Sequence, residues 1–167
     1  GAATDGSKPV EVEEEVVELR QGEDSTQVVP SSDLKKLGDE AFAKGDYERA
    51  LDYYNTAAAY AKIDNMIKYA ELYYARGRTF QRLKRWDEAL EDAERAIQLR
   101  PIWLPPWVVK GAVFEAKEQL HAASEAYGRA VDLDPSDELF EEALSGLTRV
   151  EELLVSQACC AVLSGHE

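Results

Sequence analysis

From Leu34 onward the apolar residues of this chain recur at steps of three and four. Leu34, Leu37, Ala41 and Phe42 share one helical face, as do Ala50, Leu51, Tyr54, Ala57 and Ala58. Gly45-Asp46 separates those two runs, and Pro101 and Pro135 end later ones, because proline removes the donor a continuing helix needs. The spacing predicts helices over residues 33–44, from Tyr47, and over 67–83, 86–99, 105–117 and 120–133. Ser31-Ser32-Asp33 offers N-cap oxygens at the first of them. Phe140, Ala143, Leu144, Leu147, Val150 and Leu154 then mark an amphipathic helix of about five turns.

Aligning Gly38, Gly77 and Gly111 also aligns Ala50, Ala89 and Ala123, then Tyr54, Ala93 and Tyr127, then Ala57, Ala96 and Ala130. The second and third copies lie 34 residues apart and the first two 39 apart. The five extra residues fall around 61–69, a stretch without Gly or Pro, so an extended helix beside a short turn accommodates them. The reading is all-α: three tandem helix hairpins (31–69, 70–103 and 104–137), a capping helix over 138–156 and a flexible tail over 157–167. The repeated Gly and Ala are places where helices cross closely. Tyr47 and Trp86 share a repeat position and read as core wedges.

Residues 1–30 break the helical rhythm. Val and Glu alternate over 10–18 among many acidic residues, which reads as a mostly disordered segment. The same alternation offers a strand to a partner, or an acidic peptide to a basic groove.

Charge narrows the function classes. With 33 acidic against 19 basic residues the net charge is −14, which opposes nucleic-acid phosphate and anionic lipid. The two cysteines, Cys159 and Cys160, are consecutive and poorly placed to bridge each other, so a reducing, cytoplasmic (or nuclear) home is expected. No apolar run approaches the roughly 20 residues of a membrane span. His121 and His166 have no nucleophile or metal-ligand companion at useful spacing, and no clustered glycines form a phosphate loop. No catalytic residue, cofactor or metal is therefore assigned, and binding is the expected role.

A period near 34 with these Gly and Ala positions resembles the tetratricopeptide repeat. L-K-K-L-G-D-E-A-F, G-D-Y-E-R-A-L-D-Y-Y, A-I-Q-L-R-P-I-W and A-V-D-L-D-P are similar to the repeats of Hsp-organising co-chaperones and their immunophilin and phosphatase relatives. The resemblance implies a right-handed superhelical solenoid whose hollow side holds a partner peptide. Members of that family often clamp the carboxylates of a C-terminal Glu-Glu-Val-Asp with Lys and Asn in repeat one, Asn in repeat two, and Lys and Arg in repeat three. Here Lys35 matches the first Lys, but the Asn positions hold Asp39 and Ala75, and the repeat-three positions hold Pro105 and Val109. The clamp is degenerate, which disfavours standard chaperone-tail binding.

The groove is expected on the first helix of each pair, with Lys35, Asp39, Phe42 and Ala43, then Glu71, Tyr74, Ala75, Arg78 and Arg82, then Pro105, Val108, Val109 and Ala112. Arg78 and Arg82 are four apart and point the same way. With Lys35 they make a basic spot for a carboxylate or phosphate, or they pair with Glu71 and Asp39. Trp107 and the prolines suggest a more apolar occupant at repeat three. The leading expectation is a protein–protein adaptor in chaperone-linked assembly. The alternatives are a targeting module of a larger isomerase, phosphatase or ligase, and self-association through the acidic residues 10–19.

Overall fold

The computed structural model describes residues 16–20, 26–60 and 66–165. Among them are seven α-helices: α1 (Leu34–Ala43), α2 (Tyr47–Tyr60), α3 (Met66–Arg82), α4 (Trp86–Leu99), α5 (Leu104–Ala116), α6 (Leu120–Val131) and α7 (Phe140–Ser164). Sequential helices pair into three hairpins, the hairpins stack in order, and α7 lies across α6 and α5. This is the helical-hairpin solenoid. No helix among the described residues is long and apolar enough to cross a membrane.

The aligned positions form the contacts between helices. Ala50, Ala89 and Ala123 are fully buried, as are Ala96 and Ala130. Gly38 lies beneath Tyr54, and Gly111 beneath Tyr127. A Cβ at Gly38 would sit 2.5 Å from Tyr54 Cε1, and one at Gly111 would sit 2.7 Å from Tyr127 Cδ1. Tyr127 is also pressed by Gly146 of α7, where a Cβ would come within 2.6 Å of Cζ. Its ring therefore has nowhere to retreat. Gly111→Ala is expected to destabilise by about 1–2 kcal/mol, overpacking outweighing the gain in helix propensity, and to lower the melting temperature by several degrees. A thermal melt by circular dichroism checks this.

Each hairpin turns in the same way. Gly45, Lys84 and Glu118 occupy equivalent positions with φ of +80°, +59° and +58°. In each case the next residue's N–H returns to a carbonyl five back: Asp46 to Ala41 at 3.0 Å, Arg85 to Phe80 at 2.9 Å and Gln119 to Phe114 at 2.9 Å. This double closure absorbs the helix's last carbonyls and tolerates a left-handed residue even where it is not glycine. Asp46 Oδ1 also accepts from the Arg49 N–H at 3.2 Å, capping α2.

Three expectations need correction. The segment read as disordered contains an antiparallel hairpin, β1 (Val16–Arg20) paired with β2 (Thr26–Pro30), with Val17 opposite Val29. Alternation explains it: Val17 and Val29 point inward and join the cluster of Leu34, Tyr53, Tyr54 and Ala57, while Val16 and Val28 face out. The hairpin thus covers apolar surface on the first helix pair. Ser31–Asp33 forms a 3-10 turn, and Asp33 makes no side-chain capping bond. Finally, α7 runs on to Ser164, through much of the stretch read as a tail, and carries Cys159 and Cys160 exposed. Within the insertion, residues 61–65 lie outside the described residues.

One buried ion pair ties the hairpins together. Arg76 of α3 donates from Nε to Asp92 Oδ2 at 2.6 Å and from Nη2 to Oδ1 at 2.8 Å, and from Nη1 to Asn55 of α2 at 3.1 Å. At the other end, Glu115 of α5 accepts from Arg149 of α7 at 2.5 and 2.8 Å and from the Tyr127 hydroxyl at 3.0 Å. The Arg149 guanidinium holds the Glu115 carboxyl below its ordinary range, helped by the Tyr127 hydroxyl.

Candidate functional site: the groove of the first helices

The inner faces of α1 and α3, with the entry to α5, enclose a cavity of about 530 Å³. Its wall is built by helical spacing. Glu71, Tyr74, Ala75 and Arg78 lie on one stripe of α3, and Lys35, Asp39 and Phe42 on the facing stripe of α1. Arg78 Cζ lies 5.0 Å from the Phe42 ring centre and 5.5 Å from that of Tyr74. Tyr74 meets Trp103 edge to face at 5.1 Å, and Arg100 lies over Trp103 at 4.4 Å. The result is an aromatic shelf interleaved with guanidinium groups, suited to anionic and apolar side chains together. Burial pushes the Tyr74 hydroxyl up from its ordinary value, with Arg78 opposing, so the ring stays neutral.

A second cavity of about 480 Å³ adjoins the first across Tyr74 and Arg78. Arg82, Lys84 and Trp86 line it with Val108, Leu139 and Glu142. Arg82 donates twice to the Tyr47 hydroxyl, at 3.0 and 2.8 Å, and lies over its ring at 5.3 Å. Tyr47 is therefore a half-buried rim residue rather than a core wedge, standing edge to face with Phe42 at 5.2 Å. Trp86 packs partly buried against the cluster of Phe80 and Ala89.

The ion pairs divide the cations. Lys35 Nζ donates to Asp39 at 2.8 Å, and the Tyr54 hydroxyl donates to the other Asp39 oxygen at 2.6 Å. Burial, followed by that Asp39 bond, drives the Tyr54 hydroxyl far above its ordinary range. Glu71 is met by Arg100 at 3.6 Å. The expected pairing of Arg78 and Arg82 with Glu71 and Asp39 is therefore not what forms. Arg78, Arg82 and Lys84 are left without a carboxylate partner among the described residues.

Of the expected groove residues, Lys35, Asp39, Phe42, Glu71, Tyr74, Ala75 and Arg78 line the first cavity. Arg82, Pro105, Val108 and Val109 line the second, where the three apolar residues are buried as its floor. Ala43 and Ala112 line neither, and Ala112 packs into the α5–α6–α7 core. Trp107 also faces away from both, donating Nε1–H to the Pro101 carbonyl at 3.1 Å. Trp103, Arg100, Lys84, Leu139 and Glu142 were not expected here. They sit at helix ends and on the start of α7, where helical periodicity assigns no face. No cluster of potential metal ligands occurs among the described residues.

Stacked helix hairpins presenting one lined groove define a helical repeat array. Residues 70–103 and 104–137 each match the tetratricopeptide repeat, so the chain carries two such repeats. It is 31% identical over 131 residues to the Hsp70-Hsp90 organising protein of Plasmodium falciparum, covering 78% of this chain and 50% of that one. It is 31% identical over 121 residues to the Schizosaccharomyces pombe heat shock protein sti1 homolog, covering 72% of this chain and 19% of that one. The chain therefore spans half or less of these relatives' lengths. Among solved structures, the first tetratricopeptide domain of Spaghetti (RPAP3), bound to the HSP90 peptide SRMEEVD, matches with a TM-score of 0.65 and 26% identity, over 75% of this chain and 95% of that one.

Proposed function

We propose that this chain is a non-catalytic interaction module that holds an extended peptide segment of a partner protein in the groove of its first helices, in chaperone-linked assembly. The observation that carries this reading is the shelf of Phe42, Tyr74 and Trp103 around Arg78, a cation already stacked and, among the described residues, not tied to a carboxylate. Such a surface fits a segment that alternates apolar and acidic side chains. Its partners are proteins or peptides, and the groove needs no cofactor or metal.

A terminal carboxylate has little to hold it here. Of the five clamp positions only Lys35 offers a donor, and its charge is already engaged by Asp39 at 2.8 Å. Ala75 offers no donor, and Pro105 and Val109 are buried and apolar. Each lost charge-assisted hydrogen bond is worth about 1.5–3 kcal/mol, so losing even two weakens binding about a hundredfold or more. In a calorimetric titration, SRMEEVD is therefore expected to bind this chain at least about a hundredfold more weakly than it binds the RPAP3 domain measured alongside. Equal affinity would contradict the reading of the broken clamp. Peptides selected from a display library on the full chain test the groove itself, and none dependent on Arg78 would sink the proposal.

A further inference from the structure

The charges of the groove do not balance, and the imbalance is local. On the first cavity's wall, Lys35 and Arg100 answer Asp39 and Glu71. The second cavity sets three cations in its lining, Arg78, Arg82 and Lys84, against one carboxylate, Glu142, a surplus of two positive charges in a chain of net charge −14. Asp137 stands outside that lining, its Oδ1 accepting the Leu139 N–H at 2.9 Å.

The two arginines are held in place without being neutralised. Arg82 donates from Nε and Nη2 to the Tyr47 hydroxyl, an uncharged acceptor that fixes the guanidinium and leaves its charge whole. Arg78 lies over the rings of Phe42 and Tyr74. Lys84 follows two residues after Arg82, on the left-handed residue that closes the α3–α4 turn. Cations fixed before an anion arrives bind it at a smaller ordering cost. In an extended peptide, successive side chains face opposite ways and those two apart are about 7 Å from each other. A peptide with one side chain on the Tyr74 shelf therefore puts a single further one over Arg82 and Lys84. One carboxylate there leaves a cation unanswered, whereas a phosphoryl group brings about −1.5 to −2 charge and three acceptor oxygens on one side chain. We infer that the second cavity receives a phosphorylated serine or threonine of the partner peptide, its oxygens shared among Arg78, Arg82 and Lys84 above the apolar floor of Val108 and Val109. This rests on the reading of the groove as a peptide site, and it makes binding depend on modification of the partner.

The test uses four fluorescein-labelled pools of short peptides with degenerate flanks, centred on Ser, Glu, Glu-Xaa-Glu or phosphoserine, each titrated with the full chain by fluorescence anisotropy. The phosphoserine pool is expected to bind at least about tenfold more tightly than either glutamate pool, because its second charge adds a charge-assisted hydrogen bond at the same place. Arg82→Gln/Lys84→Gln, at two exposed positions, is expected to bring the phosphoserine and glutamate pools to within about twofold of each other while the melting temperature moves by only a few degrees. A phosphoserine pool that binds no better than the Glu-Xaa-Glu pool, or a preference that survives Arg82→Gln/Lys84→Gln, overturns the inference. If the glutamate pools still bind through Arg78 in that case, only the phosphoryl site is refuted; if no pool binds, the groove reading falls with it.

Discussion

Arg78→Glu/Arg82→Glu is expected to cut the capture of groove-binding peptides at least about a hundredfold while moving the melting temperature by only a few degrees. The asymmetry follows from where the two guanidinium groups stand. Both are exposed, and their contacts are with ring faces and the Tyr47 hydroxyl, not with buried carboxylates. Losing such contacts costs the fold about 1 kcal/mol or less each. A bound acidic segment, in contrast, would lose two attractions and meet two repulsions in a partly enclosed site. Affinity for library-selected peptides and a thermal melt of the same samples read the two effects separately. Unchanged affinity would move the binding surface away from α3.

Asp92→Ala is expected to have the largest effect on stability, about 3–5 kcal/mol, because it strands the Arg76 guanidinium without its counter-charge. Asp92 is 2% exposed, and Arg76 bridges it to Asn55, so α2, α3 and α4 all lose a shared anchor. A loss of that size corresponds to a fall of about 10 °C in melting temperature for a domain of this size. Arg76→Met/Asp92→Leu is expected to recover most of it, since an apolar pair of similar volume avoids both desolvation and the unpaired charge. A single mutant that melts like the parent would show that the pair contributes packing alone.

Much of the array was legible in the sequence because helix pairing leaves a local trace. Gly38 and Gly111 sit where Tyr54 and Tyr127 press on the helix axis, and Ala50, Ala89 and Ala123 sit where helices cross, so the same small residues return at the same offsets. The β1–β2 hairpin left a weaker trace. Its inward pair, Val17 and Val29, lies among acidic and polar neighbours whose composition argues for disorder. The groove was half legible for a similar reason. Phe42, Tyr74 and Arg78 follow from helical spacing, whereas Trp103 enters from the residue before α5, whose direction depends on how the hairpins stack. Trp107, the aromatic that the sequence favoured, turns to Pro101 instead. The partners of Lys35 and Glu71 are a matter of local reach: Asp39 stands one turn along, while Arg100 arrives from the far end of α4.

The most direct measurement is the set of tryptophan indole N–H signals of the full chain during titration with a library-selected peptide. Trp103 and Trp86 line the two cavities and Trp107 lines neither. A peptide held in the groove should shift the indoles of Trp103 and Trp86 and leave that of Trp107 in place. Movement of Trp107 alone, with Trp103 unperturbed at saturation, would place the partner on another face and contradict the account.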